Sequence, residues 1–411
     1  MGNLHTKRNY RNHQKYDSQY SLSDLLSRSC ITTAQQSSSE TQQRLWSRAS
    51  HKNWSKSATQ DIHGSSKTLW PVPRFQSMFL PEFPFKEPPL KTGYMFLDVI
   101  AKGAYGKVYK IQKQDTSQLF ALKVIRKAVI VAENAVMQAK QEVAIQRMVG
   151  HHPFIVNSIH RWQGRKTLYI LMDYIPGGEL FSLVDKYGCL PEEVVRIYVA
   201  EIALAIDFLH HAGIVHRDLK TTNVLLDAKG HAVLIDFGLA KWLNFSERTN
   251  TICGTRQYMA PEILRKEYYR HEVDWWSLGV LACFLLTNEY PSTVSSEVVP
   301  DEDDLNIADS PGNLPASANL SVAARDLLER LLQPEPRLRI RSVLGLQRIA
   351  FYMGYDLQSY MLKKESPFQI LGLKNLQQLQ QQETKTWKSF DHDFPNFESF
   401  PGDRTARSSH Q

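Results

Sequence analysis

Apolar residues cluster in short runs in the first half of the chain and take a helical spacing in the second half. "YMFLDVI" (94–100), "KVYKIQ" (107–112) and "LFALKVI" (119–125) are rich in β-branched and aromatic residues, and the polar turn "KQDTSQ" separates the last two. That pattern predicts three consecutive strands. "AENAVMQAKQEVAIQRMV" (132–149) predicts a helix, and "LYILMDYI" (168–175) a further strand broken by "PGGE". Helical spacing then dominates over 192–211, 275–287 and 321–332. The pattern places a small β-rich part before a larger helical part, with the break near Pro176, and no internal repeat is visible.

The ends differ in kind. Residues 1 to about 90 are rich in Ser, Gln, Thr and basic residues, with "QQSSSETQQ" at 35–43, and are expected to be disordered. Trp46, Trp54, Trp70 and the "FLPEFPF" stretch at 79–85 read as isolated aromatics in a tail, with docking on the folded body as the alternative. Residues 294–318, with "PDEDD" at 300–304, read as a solvated loop. The tail from Pro367 carries "LQQLQQQE" and a Phe-rich cluster at 390–400.

Charge sharpens this division. The 411 residues carry a net charge of +7, and all of it falls in residues 1–91; the remainder has 36 basic and 36 acidic residues. A basic nucleic-acid groove in the body is therefore disfavoured, and no nucleic acid is expected as a partner. Cys30, Cys189, Cys253 and Cys283 stand far apart without a C-x-x-C pair, which argues against a disulfide framework or a zinc site. The longest apolar run, Leu278 to Leu286, is too short to span a bilayer, and no signal peptide is evident. An intracellular chain is expected.

"IAKGAYGKV" (100–108) has the form of a loop that approaches phosphates, because Gly103 and Gly106 lack a Cβ. Lys123 follows on the third strand, and Glu142 on the predicted helix is placed to pair with it. "HRDLKTTN" (216–223) supplies Asp218, suited to accept a proton from a hydroxyl, and Asn223, suited to bind a metal ion. "DFG" (236–238) adds the carboxylate of Asp236, and "APE" (260–262) and "DWWSLG" (274–279) complete the series. Each piece alone is commonplace; together and in this order they match the protein-kinase signature.

The sequence resembles the eukaryotic protein kinases across residues 94–366, and Lys220 within "DLKTTN" is the serine/threonine form of that loop. "PGGELF", "FGLAK", "TICGT" and "DWWSLGVL" resemble the AGC group, closest to its ribosomal protein S-six kinase-related branch. The resemblance implies an α+β, bilobal protein-kinase fold, with a β-rich small lobe carrying helix C (94–174) and a larger helical lobe (175–366). It leaves a disordered segment at 1–93 and an AGC-like tail at 367–411. It further implies that ATP and Mg²⁺ bind between the lobes. Ile100, Ala101, Gly103, Gly106, Val108 and Ala121 would line the nucleotide site. Lys123 would hold the α- and β-phosphates and Glu142 would hold Lys123. Met172 would be the gatekeeper, with Asp173 to Ile175 as the hinge. Asn223 and Asp236 would bind the metal ion, while Asp218 and Lys220 would be catalytic. Thr251 would be the activation-loop phosphosite, its phosphate paired with Arg217 and Lys241 after an upstream kinase has acted. Thr255 would contact Asp218.

This chain departs from the family at several positions. Ala101 replaces the first glycine of the loop, at a cost of about 1 kcal/mol if the backbone there needs a glycine-only conformation. Gln146 stands where an apolar spine residue is usual and is expected to loosen its helix. Thr222 and Phe284 replace two carboxylates that read arginine before the acceptor in basophilic relatives, whereas Glu179 is retained; a shifted substrate preference is expected. Arg256 and Gln257 stand where relatives have Pro and Glu. Phe390 matches the tail residue laid against the nucleotide, and "FPNFESF" (394–400) resembles a hydrophobic motif that docks on the small lobe.

"MGNLHTKR" matches the N-myristoylation pattern at Gly2, with Lys7, Arg8, Arg11 and Lys15 behind it. An acyl chain and a basic patch supply the two signals that stable membrane attachment needs. The expectation is a serine/threonine protein kinase acting on protein substrates, cytoplasmic and peripheral on a membrane face. A pseudokinase scaffold with weak or no phosphotransfer is the alternative.

Overall fold

The computed structural model describes residues 73–86, 89, 93–103, 105–244, 246–292, 312–316 and 319–372. Gly2, Trp46, Trp54, Trp70, most of the acidic loop, Phe390 and the 394–400 cluster lie outside the described residues.

A short helix α1 (Arg74–Ser77) precedes a five-stranded sheet. Strands β1 (Tyr94–Lys102), β2 (Gly106–Lys113) and β3 (Leu119–Arg126) form an antiparallel meander. β5 (Thr167–Asp173) pairs with β3, and β4 (Ser158–Gln163) closes the edge in the order β1-β2-β3-β5-β4. The turn after β2 closes on Ser117, whose positive φ of 56° and N–H bond to Lys113 O (2.8 Å) reverse the chain. The helix expected over 132–149 is α3 (Val136–Val149), which begins four residues later, and a separate short helix, α2 (Lys127–Ala132), precedes it. Asn134 between them adopts φ 53°, the left-handed conformation that ends a helix.

The expectation of disorder up to residue 93 does not hold for residues 73–86. Phe79 and Phe83 are fully buried, in one cluster with Ile125, Ile130, Ala135, Ala139, Val143, Leu168 and Ile170. Prolines and charges break any local period in "FLPEFPF", so its order comes from a groove that later elements build.

The large lobe is built on α4 (Leu180–Tyr187), α5 (Glu192–His211) and α7 (Glu272–Thr287), the short α6 (Pro261–Leu264) lying before α7. α7 is buried all round, Val273 to Leu286, as suits a helix apolar on every face. α8 (Val322–Leu331) and α9 (Val343–Gln347) begin on Ser321 and Ser342, whose hydroxyls accept backbone N–H bonds from Ala324 and Gly345. The packed chain runs past the expected boundary at 366. α10 (Pro367–Ile370) buries Phe368, whose N–H donates to Lys229 O at 3.2 Å. No helix among the described residues is long and apolar enough to cross a membrane.

Candidate active site

Strand register sets one wall of the site. Ala101 pairs with Val108, Val108 with Lys123, and Ala121 with Met172. Directly opposed residues and those two apart share a face, so these five side chains belong to one side of the sheet. Ile100 falls at the irregularity between Val99 and Ala101. At Gly106 a Cβ would lie 1.9 Å from Val124 O, so β3 permits only glycine there. Gly103 donates its N–H to Gly106 O (2.8 Å) and meets no such obstruction. Ala101 lies at the end of β1, beside its register shift but outside the set of non-glycine residues with positive φ. Its methyl therefore carries no backbone strain, and the cost anticipated for losing a glycine does not arise.

At the end of β5 the Asp173 N–H donates to Asn157 O (3.2 Å), and burial pushes the Asp173 carboxyl up. Met172 and Ile175 pack against the large-lobe core, so the expected hinge joins the two halves.

Lys123 Nζ lies 2.6 Å from Glu142 Oε1 and 3.9 Å from Asp236 Oδ1. Burial alone would lower the Lys123 pKa, but the two carboxylates outweigh it and hold the ammonium above its ordinary value. Burial likewise pushes Asp236 up, and Lys123 with the Gly238 amide holds it below the usual carboxylate range. Asp236 adopts φ 62°, an uncommon conformation for a non-glycine residue. It is fixed by the Gly238 N–H at 3.1 Å, while Gln138 on α3 donates to Gly238 O at 2.7 Å. Helix α3 thus holds both the lysine's partner and the segment bearing Asp236.

The 216–223 loop gathers the remaining groups. Lys220 Nζ lies 2.9 Å from Asp218 Oδ2 and donates to Thr255 Oγ1 at 2.9 Å. Thr255 in turn donates to Asp218 Oδ1 at 2.8 Å, the contact anticipated from the sequence. Asn223 Nδ2 donates to Asp218 O and Oδ2 at 2.9 and 3.0 Å, and Asn223 O accepts from Ile235 N–H at 2.9 Å, next to Asp236. A carboxylate and an amide oxygen donor suit a hard cation such as Mg²⁺. No cluster of three or more His, Cys, Asp or Glu stands elsewhere among the described residues to compete for one.

Thr251 is exposed, whereas its neighbour Thr249 is buried. With Thr251 unmodified, Lys241 reaches its hydroxyl through Thr249. Lys241 Nζ donates to Thr249 Oγ1 at 3.1 Å, and that hydroxyl shares a 3.2 Å bond with Thr251 Oγ1. Arg217 Nε instead donates to Leu239 O at 2.6 Å. Gln146, expected to loosen its helix, is buried inside α3; its Nε2 contacts Met172 Sδ at 3.9 Å and its Oε1 has no hydrogen-bond partner.

Two supports escape sequence reasoning. Asp274, within the quoted "DWWSLG", is fully buried and accepts the N–H groups of His216 and Arg217 at 2.8 Å each. It thereby holds Arg217 at φ 68°, at the head of the loop that carries Asp218. Arg339 grips Glu262 of "APE" from 77 residues away and has no neighbouring motif to announce it.

A protein kinase domain model matches residues 94–348. Ribosomal protein S6 kinase-related protein of Homo sapiens is 37% identical over 332 residues, covering 81% of this chain and 79% of the relative. A serine/threonine-protein kinase of Arabidopsis thaliana is 42% identical over 246 residues, 60% of this chain and 51% of the relative. A RAC family serine/threonine-protein kinase homolog of Dictyostelium discoideum is 36% identical over 276 residues, 67% of this chain and 61% of the relative.

Proposed function

The chain belongs to the protein kinase family, within its AGC-like serine/threonine branch, and on that premise we propose which of its residues move phosphate from ATP to serine and threonine hydroxyls of protein substrates. Lys123 holds the α- and β-phosphates, and Glu142 fixes Lys123. The glycine loop, Val108 and Ala121 cover the nucleotide, and Asp173 to Ile175 meet the adenine beside Met172. Asp218 orients the acceptor hydroxyl and takes its proton, and Lys220 neutralises the γ-phosphate. Asp236 and Asn223 hold Mg²⁺, which when bound offsets the charge on the transferred group. Positioning and fixed charge do most of the work in such a transfer.

The observation that carries this reading is Lys123 held between Glu142 at 2.6 Å and Asp236 at 3.9 Å, with Ile235, next to Asp236, bonded by its N–H to Asn223 O of the Asp218–Lys220–Asn223 cluster at 2.9 Å. The test is transfer of label from radiolabelled ATP with Mg²⁺ to the chain itself and to a Ser/Thr peptide library, beside Asp218→Asn. Label that vanishes in the variant supports the reading. No label, even after Thr251 has been phosphorylated, overturns it.

Regulation and location complete the proposal. An upstream kinase phosphorylates Thr251, a role its exposure supports, with Lys241 one hydroxyl away. Gly2 is myristoylated, and with Lys7, Arg8, Arg11 and Lys15 it attaches the chain to an anionic cytosolic membrane face. Loss of label from an alkynyl myristate analogue, and of sedimentation with membranes, in Gly2→Ala is the expected result. Substrate preference departs from a basic consensus, a shift supported by Phe284 lying stacked between Phe181 and Tyr290, 5.9 and 4.7 Å between ring centroids.

A further inference from the structure

Residues 73–86 lie before the matched domain, which begins at 94, yet they touch the element that presents Glu142. Phe79 and Phe83 share their buried cluster with Ala139 and Val143 of α3. Those two residues are four apart and so lie on one face of the helix, and Glu142, three after Ala139, borders it. Lys140, two residues before Glu142, donates to Leu80 O at 2.6 Å and pairs with Glu82 Oε2 at 2.8 Å. Both of these contacts of the Lys140 ammonium belong to the segment.

The opposite side of the segment is fastened to the sheet edge. Gln163 Nε2 donates to Phe83 O at 2.6 Å, Gln163 N to Pro84 O at 2.9 Å, and Arg161 Nε to Glu82 O at 3.1 Å. Lys127 of α2, itself fully buried, donates to Gln163 Oε1 and Gly164 O and sets its ammonium 5.2 Å from the Phe79 ring centre. One stretch of chain therefore bridges α2, α3 and β4. A tail merely laid on the surface needs neither two fully buried aromatic rings nor a lysine from the helix committed to its backbone.

We propose that residues 73–86 act as a positioning clamp for phosphotransfer, holding α3 in the place where Glu142 grips Lys123. The proposal rests on the assignment of Lys123 and Glu142 to the nucleotide site. Phe79 and Phe83 set the depth of the helix, and the Glu82–Lys140 pair sets its position along the groove. Release of the segment frees α3, loosens the Lys123–Glu142 pair and lowers the rate of transfer without touching the acceptor site.

The test uses the full chain. Phe79→Ala/Phe83→Ala is expected to lower kcat about 3- to 30-fold, the range found when residues remote from a site modulate it, with KM for a peptide substrate unchanged. A peptide of residues 73–86 added in trans restores kcat saturably, and the same peptide with both phenylalanines replaced does not. Because the double variant could misfold, Glu82→Lys and Lys140→Glu are made singly and together. Each single change lowers kcat, and the swap recovers the part that the ion pair supplies but not the part that the Lys140–Leu80 O bond supplies; melting temperatures are recorded for all three. Hydrogen exchange supplies a readout independent of activity: α3 amides exchange faster in the variants while α7 amides do not. Wild-type kcat and unchanged α3 exchange in the variants overturn the clamp. So does a loss of activity that only follows the folded fraction and resists peptide and swap. A wild-type chain that transfers no phosphate overturns the assignment of the site instead, and the exchange data still decide the clamp.

Discussion

The guanidinium of Arg339 grips the carboxylate of Glu262 as a fork, Nη1 to Oε1 at 2.7 Å and Nη2 to Oε2 at 3.0 Å, with both side chains almost wholly excluded from solvent. Arg339 also donates to Gln333 O and Glu272 O and lies over the Trp276 ring, 5.2 Å from its centre. The pair ties α6, at the end of the segment carrying Thr251 and Thr255, to the foot of α7.

Breaking that pair from one side strands a buried charge. Arg339→Met is expected to cost about 3–5 kcal/mol in denaturant unfolding. Adding Glu262→Gln to it should recover part of the loss, because the orphaned carboxylate is then gone. A single variant within about 0.5 kcal/mol of wild type would contradict the burial of the pair.

Two substitutions in the glycine loop predict opposite outcomes. Ala101→Gly removes no strain, since Ala101 already has strand geometry; it should lower stability by about 0.5–1 kcal/mol and change KM for ATP by less than about tenfold. Gly106→Ala must displace β2 from Val124 O, 1.9 Å from the new Cβ, and should raise KM for ATP far more. Steady-state kinetics on both variants, with melting temperatures, separate the two.

Gln146 yields a stabilising prediction. Its Oε1 is buried without a partner and its Nε2 has only a thioether at 3.9 Å. Replacing it with leucine, of similar size, removes an unsatisfied acceptor and should stabilise the fold by about 1–3 kcal/mol. A lower melting temperature for Gln146→Leu would show that the amide's weak contacts outweigh its desolvation.

How much of this was legible depends on where each residue's partner lies. The first three strands and α5 announce themselves through local composition and period, and the Lys123, Asp218, Asn223 and Asp236 set through order along the chain. β4 hides because His160 and Arg161 interrupt its apolar run. The break between α2 and α3 turns on one left-handed residue, Asn134, that any helical period passes over. Phe79, Phe83 and Arg339 are ordered by groups far away in sequence: the α3 groove and the Glu262 carboxylate. No local pattern encodes them. Gly106 could be read as a phosphate-loop glycine, but the nearness of Val124 O that excludes any side chain needs the sheet.

Acid should destabilise the fold early. Burial lowers the pKa of His152 to about 4, and burial, with the charge of His210 beside it, lowers that of His271 to about 4. An unfolded histidine titrates near 6.5. Between about pH 6.5 and 4 the unfolded chain therefore binds more protons than the folded one, and stability falls as pH falls through that window. Above pH 6.5 both forms are neutral and these residues contribute no slope. Unfolding free energies from pH 8 to 4.5 for wild type and His152→Phe test this; the variant should show a shallower fall, and equal slopes would exclude His152 as a source.

Thr249 and Thr251 share a hydrogen bond at 3.2 Å but not an environment. Thr249 is buried, holds Lys241 at 3.1 Å and pairs its backbone with Tyr269 in both directions, at 3.1 and 2.8 Å. Thr251 is exposed, and its carbonyl is pinned by the Tyr269 hydroxyl at 2.6 Å. A phosphate added to Thr251 enters beside Lys241 with its backbone already fixed, so little ordering cost opposes the new charge-assisted bonds. Thr251→Ala should therefore lose activation by an upstream kinase while keeping the basal rate and melting temperature. Thr249→Ala should lose a few °C of melting temperature, because it removes a buried hydroxyl bonded to a lysine, and should still be phosphorylated at Thr251. Mass spectrometry of the phosphorylated segment, with kcat before and after treatment, distinguishes them. Phosphate found on Thr249 in the wild-type chain would mean that the segment opens before it is modified.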